Sequence, residues 1–247
     1  EGTAVEIANP VLVAVGIYLL YLAVVAAIWR INKVDYLALG ESAQSVLRGI
    51  VVPIGVGLLM LVIATTVLGW WGDVLTQSRQ GPAWAMVVPV MMAAVAVLNA
   101  VRVDYRHPKA RSVLPVLAVG VLLVGGAEEL LTRGLLVVAP QQQGWSLLQV
   151  WLLSTALFSL LHAINVAFGV PLVGGALQLV MTFLAGTALF LTLFLTGSLV
   201  VAALVHALWD YGTLGRAATQ SAPKGIELAL PFVVQLAAII TIWFVVL

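Results

Sequence analysis

Long apolar stretches dominate this sequence and limit what it can fold into. Of its 247 residues, 63% are hydrophobic and 9% are charged, whereas soluble domains have about 25% charged residues. A helix needs about 20 mostly apolar residues to cross a bilayer. Eight stretches meet that requirement: residues 10–29, 49–71, 83–101, 113–139, 145–168, 171–195, 198–214 and 226–247. The sequence therefore predicts an all-α polytopic membrane protein with eight transmembrane helices in a single domain.

The basic residues predict how these helices are oriented. In an eight-helix chain the loops 30–48, 102–112 and 215–225 share one side, and they hold most of the lysines and arginines. Only Arg79 lies in a loop on the opposite side. Cytoplasmic loops carry an excess of Lys and Arg. We therefore expect the three basic loops in the cytoplasm and both chain termini outside.

Ionisable side chains inside the predicted spans are the strongest sign of a functional site. The fourth, fifth and seventh spans contain six of them: Glu128, Glu129, Arg133, His162, His206 and Asp210. A charged residue at the centre of a membrane helix costs about 2.5–3.5 kcal/mol, so these groups must face one another or a wet cavity. We therefore divide the single domain into residues 1–112, with helices 1–3 and a basic loop, and residues 113–247, with helices 4–8 and the polar cluster.

Helical spacing pairs several of these residues. Glu129 and Arg133 are four residues apart and share a helix face, as do His206 and Asp210. A buried Glu–Arg pair can fix the orientation of a helix without taking part in chemistry. A single intramembrane histidine can likewise act only as a hydrogen-bonding strut. The concentration of these groups in three spans is what favours a functional site.

A carboxylate and an imidazole in a dry pocket can activate water. Glu128 would act as general base, His162 would orient the water, and His206 would supply a donor for an oxyanion. The same three side chains are also a possible zinc ligand set, although no H-E-x-x-H motif is present. The sequence has no cysteine and no G-x-S-x-G motif, so a thiol or serine nucleophile is not expected.

Three motifs in order resemble the CPBP family, which contains the type II CAAX prenyl endopeptidases and bacterial bacteriocin-processing and immunity proteins. The motifs are AEELLTRG, FSLLH and HALWD, within about residues 120–215. The resemblance implies cleavage of a peptide bond near the membrane, without a metal or other cofactor. It implies that Glu128 and His162 activate water and that His206 and Asp210 line the oxyanion side. It also implies that the site is shaped by Glu129, Arg133 and Phe158.

Two positions depart from the family pattern. Thr132 stands where an aromatic residue often precedes the arginine, and Asp210 stands where the CAAX proteases have asparagine. An ionised aspartate cannot donate a hydrogen bond to an oxyanion. Asp210 is therefore either protonated in its low-dielectric site, or it holds His206 in one tautomer as the acid of a hydrolytic triad does; of these two roles we favour the second.

The depth of the site depends on the path of the fourth helix. Glu128 lies roughly 25 Å along this helix from Arg111. The helix must therefore begin in the cytoplasm, tilt, or bend at Gly125-Gly126. We expect a site in the cytoplasmic half of an integral protein of a prokaryotic plasma membrane, reached from the cytoplasm or laterally from lipid.

The expected partners are a peptide or membrane-protein substrate and the lipid bilayer, with no nucleic acid. Two other classes of function fit the same residues. One is a non-catalytic scaffold, chaperone or bacteriocin-immunity protein, which would bind another membrane protein. The other is a proton-coupled carrier, which would place polar residues in both halves of the chain. In this sequence they concentrate in the second half, which favours the protease.

Overall fold

The computed structural model describes residues 7–246. It is 82% helical, with no strand among those residues, so the all-α fold class is confirmed. The long helices are α1 (Pro10–Ile31), α2 (Ala43–Leu68), α3 (Ala83–Val101), α4 (Ala110–Gln142), α5 (Leu147–Phe168), α6 (Leu172–Thr196), α7 (Leu199–Ala218) and α8 (Gly225–Val246). The last predicted span ends at Leu247, which lies outside the described residues.

Within residues 7–246, seven of these helices are long and apolar enough to cross a membrane, and α7 is the exception. Its 20 residues rise about 30 Å, which matches the hydrocarbon thickness of a bilayer. His206, Asp210 and Arg216 lower its mean hydropathy. It packs mainly against α3 and α4, so neighbouring helices receive these polar groups. Seven of the eight predicted spans are thus supported by length and apolarity, and α7 as a spanning helix stays a prediction.

The second helix begins earlier than the sequence predicted. It starts at Ala43 rather than near residue 49, because Ser42 and Ser45 form a capping box. The Ser42 hydroxyl accepts the backbone N–H of Ser45 at 3.1 Å, which satisfies one of the free donors of the first turn. Arg48, which the sequence placed in a loop, therefore lies in the helix.

Helix α4 is the central helix around which the site forms. It packs closely on α7 and also contacts α2, and its last turns contact α1. A Cβ added at Gly125 would lie 2.5 Å from the carbonyl oxygen of Ala203 on α7. Gly125 thus permits close backbone contact between α4 and α7. Of the three paths considered for this helix, a break at Gly125-Gly126 is absent, because the α-helix continues through both glycines to Glu129.

Candidate active site

A π-helical turn follows the two glutamates of α4. Glu128 and Glu129 end the α-helical part, and residues Leu130–Leu135 form the π-turn. Such turns occur often at functional sites because they break the regular α-helical spacing of side chains. The Thr132 carbonyl inside the turn accepts a hydrogen bond from Ser154 Oγ of α5 at 2.7 Å. The irregular backbone is thereby held against a neighbouring helix.

Glu129 is the centre of a fully enclosed charge cluster. Its Oε1 accepts hydrogen bonds from Arg133 Nη1 at 3.2 Å and from His206 Nδ1 at 2.9 Å. All three side chains are buried. The pair with Arg133 was predicted from the i,i+4 spacing. The contact with His206 joins α4 to α7 and was not predicted.

Arg133 ties three helices together. Its Nη1 also donates to Thr132 Oγ1 at 2.6 Å, and its Nη2 donates to the Gly186 carbonyl of α6 at 2.8 Å. Its guanidinium carbon lies 3.9 Å above the Phe158 ring of α5, which is a cation–π arrangement. A Cβ at Gly186 would lie 3.0 Å from Nη2, so this glycine leaves room for the guanidinium. Thr132, the departure from the family pattern, contributes directly to holding the arginine.

His206 lies between two carboxylates. Its Nδ1 faces Glu129 at 2.9 Å, and its Nε2 lies 3.5 Å from Asp210 Oδ2. The sequence assigned the orientation of His206 to Asp210. In the structure, His206 lies closer to Glu129 than to Asp210. The Asp210 side chain is 26% exposed and faces a cavity.

That cavity has a volume of about 200 Å³ and lies between α1, α2, α4, α5 and α7. Its walls are mostly apolar. The polar side chains on its walls, apart from Trp29, are Tyr21, Tyr36, Glu128, His162, Asn165 and Asp210. The cavity therefore collects three of the four predicted catalytic residues from three helices. His206 is buried behind this wall, in contact with Asp210.

The cavity extends toward the basic loops. Its lining includes Tyr36, Leu39 and Gly40, from the loop between α1 and α2, and Ala217 at the end of α7. Glu128 lies about 27 Å along α4 from Ala110, so the site is deep in the helix bundle. Helix α4 starts at Ala110, three residues before the predicted span. The location of these loops in the cytoplasm stays a prediction.

Glu128 and His162 share the cavity without a direct hydrogen bond in the described structure. The Oε2 atom of Glu128 is buried and has no hydrogen-bond partner among the described residues. His162 Nδ1 faces the Phe158 carbonyl at 3.2 Å. The Phe158 ring lies edge-on to both His162 and His206, with centroid distances of 5.5 and 5.6 Å. Phe158 thus fixes the positions of two imidazoles and one guanidinium.

The contribution of α1 to the cavity was not predicted from the sequence. Tyr21 of α1 and Tyr36 of the loop that follows it both lie on the cavity wall. Tyr36 Oη accepts a hydrogen bond from Gln178, which in turn accepts one from Asn165. Tyrosines are ordinary residues in apolar spans, so nothing in the sequence marked Tyr21 as part of the site.

The residues of the zinc alternative, Glu128, His162 and His206, do not form a recognisable metal site. Across residues 7–246, no group of three or more His, Asp or Glu side chains has an arrangement that could hold a metal ion. His206 directs one ring nitrogen to Glu129 and the other toward Asp210.

The fold and the site define a polytopic membrane protein with an acid–histidine centre enclosed between its helices. Residues 110–212 match the family model for the type II CAAX prenyl endopeptidase Rce1-like proteins. This segment contains all three motifs, so the part of the chain from α4 to α7 is similar to that family. The match covers less than half of the 247 residues, and α1–α3 lie outside it. Comparisons with the curated proteins and with the solved structures gave no significant match.

Proposed function

We propose that the chain is an intramembrane glutamate-type endopeptidase that acts without a metal. Its substrate is a peptide bond of a membrane-associated or lipidated peptide or protein. The observation that carries the proposal is the buried, unpartnered Glu128 Oε2 in a cavity shared with His162 and Asp210. All three residues lie in the segment that matches the protease family.

His162 and Glu128 together position and deprotonate the attacking water. A backbone carbonyl only accepts hydrogen bonds, so the nitrogen of His162 that faces Phe158 carries the proton. The other nitrogen, Nε2, is then an acceptor in the neutral ring and binds one hydrogen of the water. Glu128 accepts the second hydrogen as general base. The water oxygen attacks the peptide carbonyl, and Glu128 later passes the proton to the leaving amine.

The oxyanion side of the site is built on His206. Glu129 accepts the hydrogen bond from Nδ1 and so fixes the orientation of the ring. Nε2 is directed toward Asp210 at the cavity wall. In this proposal Asp210 and His206 act together, and Glu129 with Arg133 holds them in place. Asp210→Asn is expected to keep part of the activity, because an amide can still occupy the position beside His206.

The apolar lining of the cavity supports an apolar substrate. Leu22, Val25, Ile50, Ile54 and Leu117 form much of its wall. Such a wall favours apolar side chains or a lipid chain next to the scissile bond. The description of the family as prenyl endopeptidases agrees with this class of substrate.

The test compares the termini of membrane proteins in cells that carry wild type or Glu128→Gln at equal abundance. General acid–base groups contribute about 10²–10⁴-fold to rate, so termini produced by wild type should fall by about that factor. Asp210→Asn should produce the same termini at a reduced rate. Glu41→Gln is the matched control, because Glu41 is exposed in the loop after α1, and it should behave as wild type.

Identical termini with wild type and Glu128→Gln would refute the proposal. If a cellular phenotype then depended on the protein but not on Glu128, a non-catalytic scaffold or immunity function would replace it.

A further inference from the structure

Tyr21 on α1 presents a buried hydroxyl to the cavity of the proposed protease. Its side chain is 3% exposed and lies on the cavity wall. The hydroxyl has no hydrogen-bond partner among the described residues. Buried polar groups are nearly always hydrogen-bonded in native proteins. An enclosed hydroxyl on the wall of a reaction cavity therefore points to a partner that arrives with the substrate.

The Tyr21 ring is held in place by its surroundings. A Cβ added at Gly57 on α2 would lie 2.5 Å from Tyr21 Cε2 and 3.0 Å from Cδ2. The glycine therefore lets the ring pack directly against the backbone of α2. A ring fixed in this way presents its hydroxyl at a defined position, as a preorganised donor requires.

The other polar groups of the cavity wall already have partners or are acceptors. Asn165 donates to Gln178, and Trp29 donates to the Gly49 carbonyl. Ionised Glu128 and Asp210 are acceptors only. Tyr21 is thus a buried donor in this cavity without a protein acceptor.

Tyr21 shares the cavity with Glu128, whose Oε2 is also buried and unpartnered. A tetrahedral intermediate would give both Glu128 and Tyr21 a hydrogen-bond partner. Its new hydroxyl contacts the glutamate, and its oxyanion accepts a hydrogen bond from a donor.

We propose that Tyr21 is a further catalytic residue, whose hydroxyl donates a hydrogen bond to the carbonyl oxygen of the scissile bond as it becomes an oxyanion. The inference rests on the proposed function. Water forms the new C–O bond, the carbonyl π pair moves to oxygen, and Glu128 takes the water proton. The C–N bond then breaks, and that proton passes to the amine. Tyr21 keeps its proton throughout.

Tyr18 provides a matched control on the same helix. It lies one turn before Tyr21, is equally buried, and is not part of the cavity wall. Its hydroxyl donates to the Leu157 carbonyl of α5 at 3.0 Å. Tyr18→Phe therefore removes a structural hydrogen bond, whereas Tyr21→Phe removes only an unpartnered hydroxyl.

The experiment measures kcat, KM and thermal unfolding for the full-length protein in lipid nanodiscs. The substrate is a synthetic peptide that spans the most strongly cleaved site found with wild type in cells. Loss of one oxyanion donor costs about 10²–10³-fold in kcat. Tyr21→Phe should lose about 10²-fold in kcat with little change in KM, and it should unfold at or above the wild-type temperature. Tyr18→Phe should keep kcat and unfold at a lower temperature.

Wild-type kcat in Tyr21→Phe, together with loss of activity in Glu128→Gln, would overturn this inference and leave the proposed function intact. Full activity in Glu128→Gln, or no cleavage by wild type, would overturn both. A lower unfolding temperature in Tyr21→Phe without a change in kcat would assign the hydroxyl a structural role.

Discussion

The Glu129–Arg133 pair allows a quantitative test of how the site is held together. Both side chains are completely buried, and their contact measures 3.2 Å. Arg133→Met leaves the Glu129 carboxylate with only His206 as a charged partner. Glu129→Gln leaves the guanidinium without its nearest counter-charge. Removing one partner of a buried ion pair costs about 3–5 kcal/mol, because the remaining charge is desolvated without compensation.

The double variant should cost much less than the two single variants together. With both charges removed, neither position leaves a charge that has lost its partner, and replacement of a whole buried pair is often close to neutral. We therefore expect a coupling energy of about 3 kcal/mol or more between the two positions, at or above the upper end of the range for residues in contact. The free energy of unfolding would be measured for all four proteins in the same lipid or detergent. Arg106→Met, in an exposed loop position, should change it by no more than about 0.5 kcal/mol.

Additive single effects, with a coupling below about 0.5 kcal/mol, would refute the reasoning. The two groups would then be stabilised by separate partners, and Arg133 would owe its position to Gly186, Thr132 and Phe158 alone.

Three glycines give further expectations, each checked by thermal unfolding and by the cleavage assay. Gly125→Ala should lower both stability and activity, because its Cβ would push α7 away from α4 and so separate His206 from Glu129. Gly186→Ala should also lower both, since its Cβ would press on Phe158 Cδ1 at 2.8 Å. Gly16→Ala on α1 meets nothing within 4 Å, so it should stabilise the helix by about 0.5–1 kcal/mol without changing activity.

The departures from the family pattern acquire a physical meaning in the structure. Thr132 donates to the Glu128 carbonyl, and its oxygen accepts a hydrogen bond from Arg133. An aromatic side chain at that position would offer no such oxygen. Asp210, in place of asparagine, extends the row of charges that begins at Arg133 and passes through Glu129 and His206. The activity of Asp210→Asn therefore tests whether the charge of Asp210 is needed beside His206.

The sequence alone determined the membrane fold and predicted most residues of the candidate site. Bilayer thickness sets the length of an apolar helix, so eight spans could be counted directly, and seven are supported by their length and apolarity. Charges are costly in lipid, so Glu128, Glu129, Arg133 and His206 were recognisable as a group that must meet. The family match over residues 110–212 agrees with the motifs that suggested the family.

Only the tertiary structure decided how these residues divide between a buried charge cluster and the wall of a cavity. Helical periodicity relates residues on one helix, but which side chains of two different helices meet depends on packing and on local irregularities. Gly125 lets α7 pack closely against α4. This packing places His206 on Glu129 rather than on the cavity wall. Tyr21 lies on the cavity wall because α1 packs against α2. An apolar sequence contains no pattern that predicts this packing.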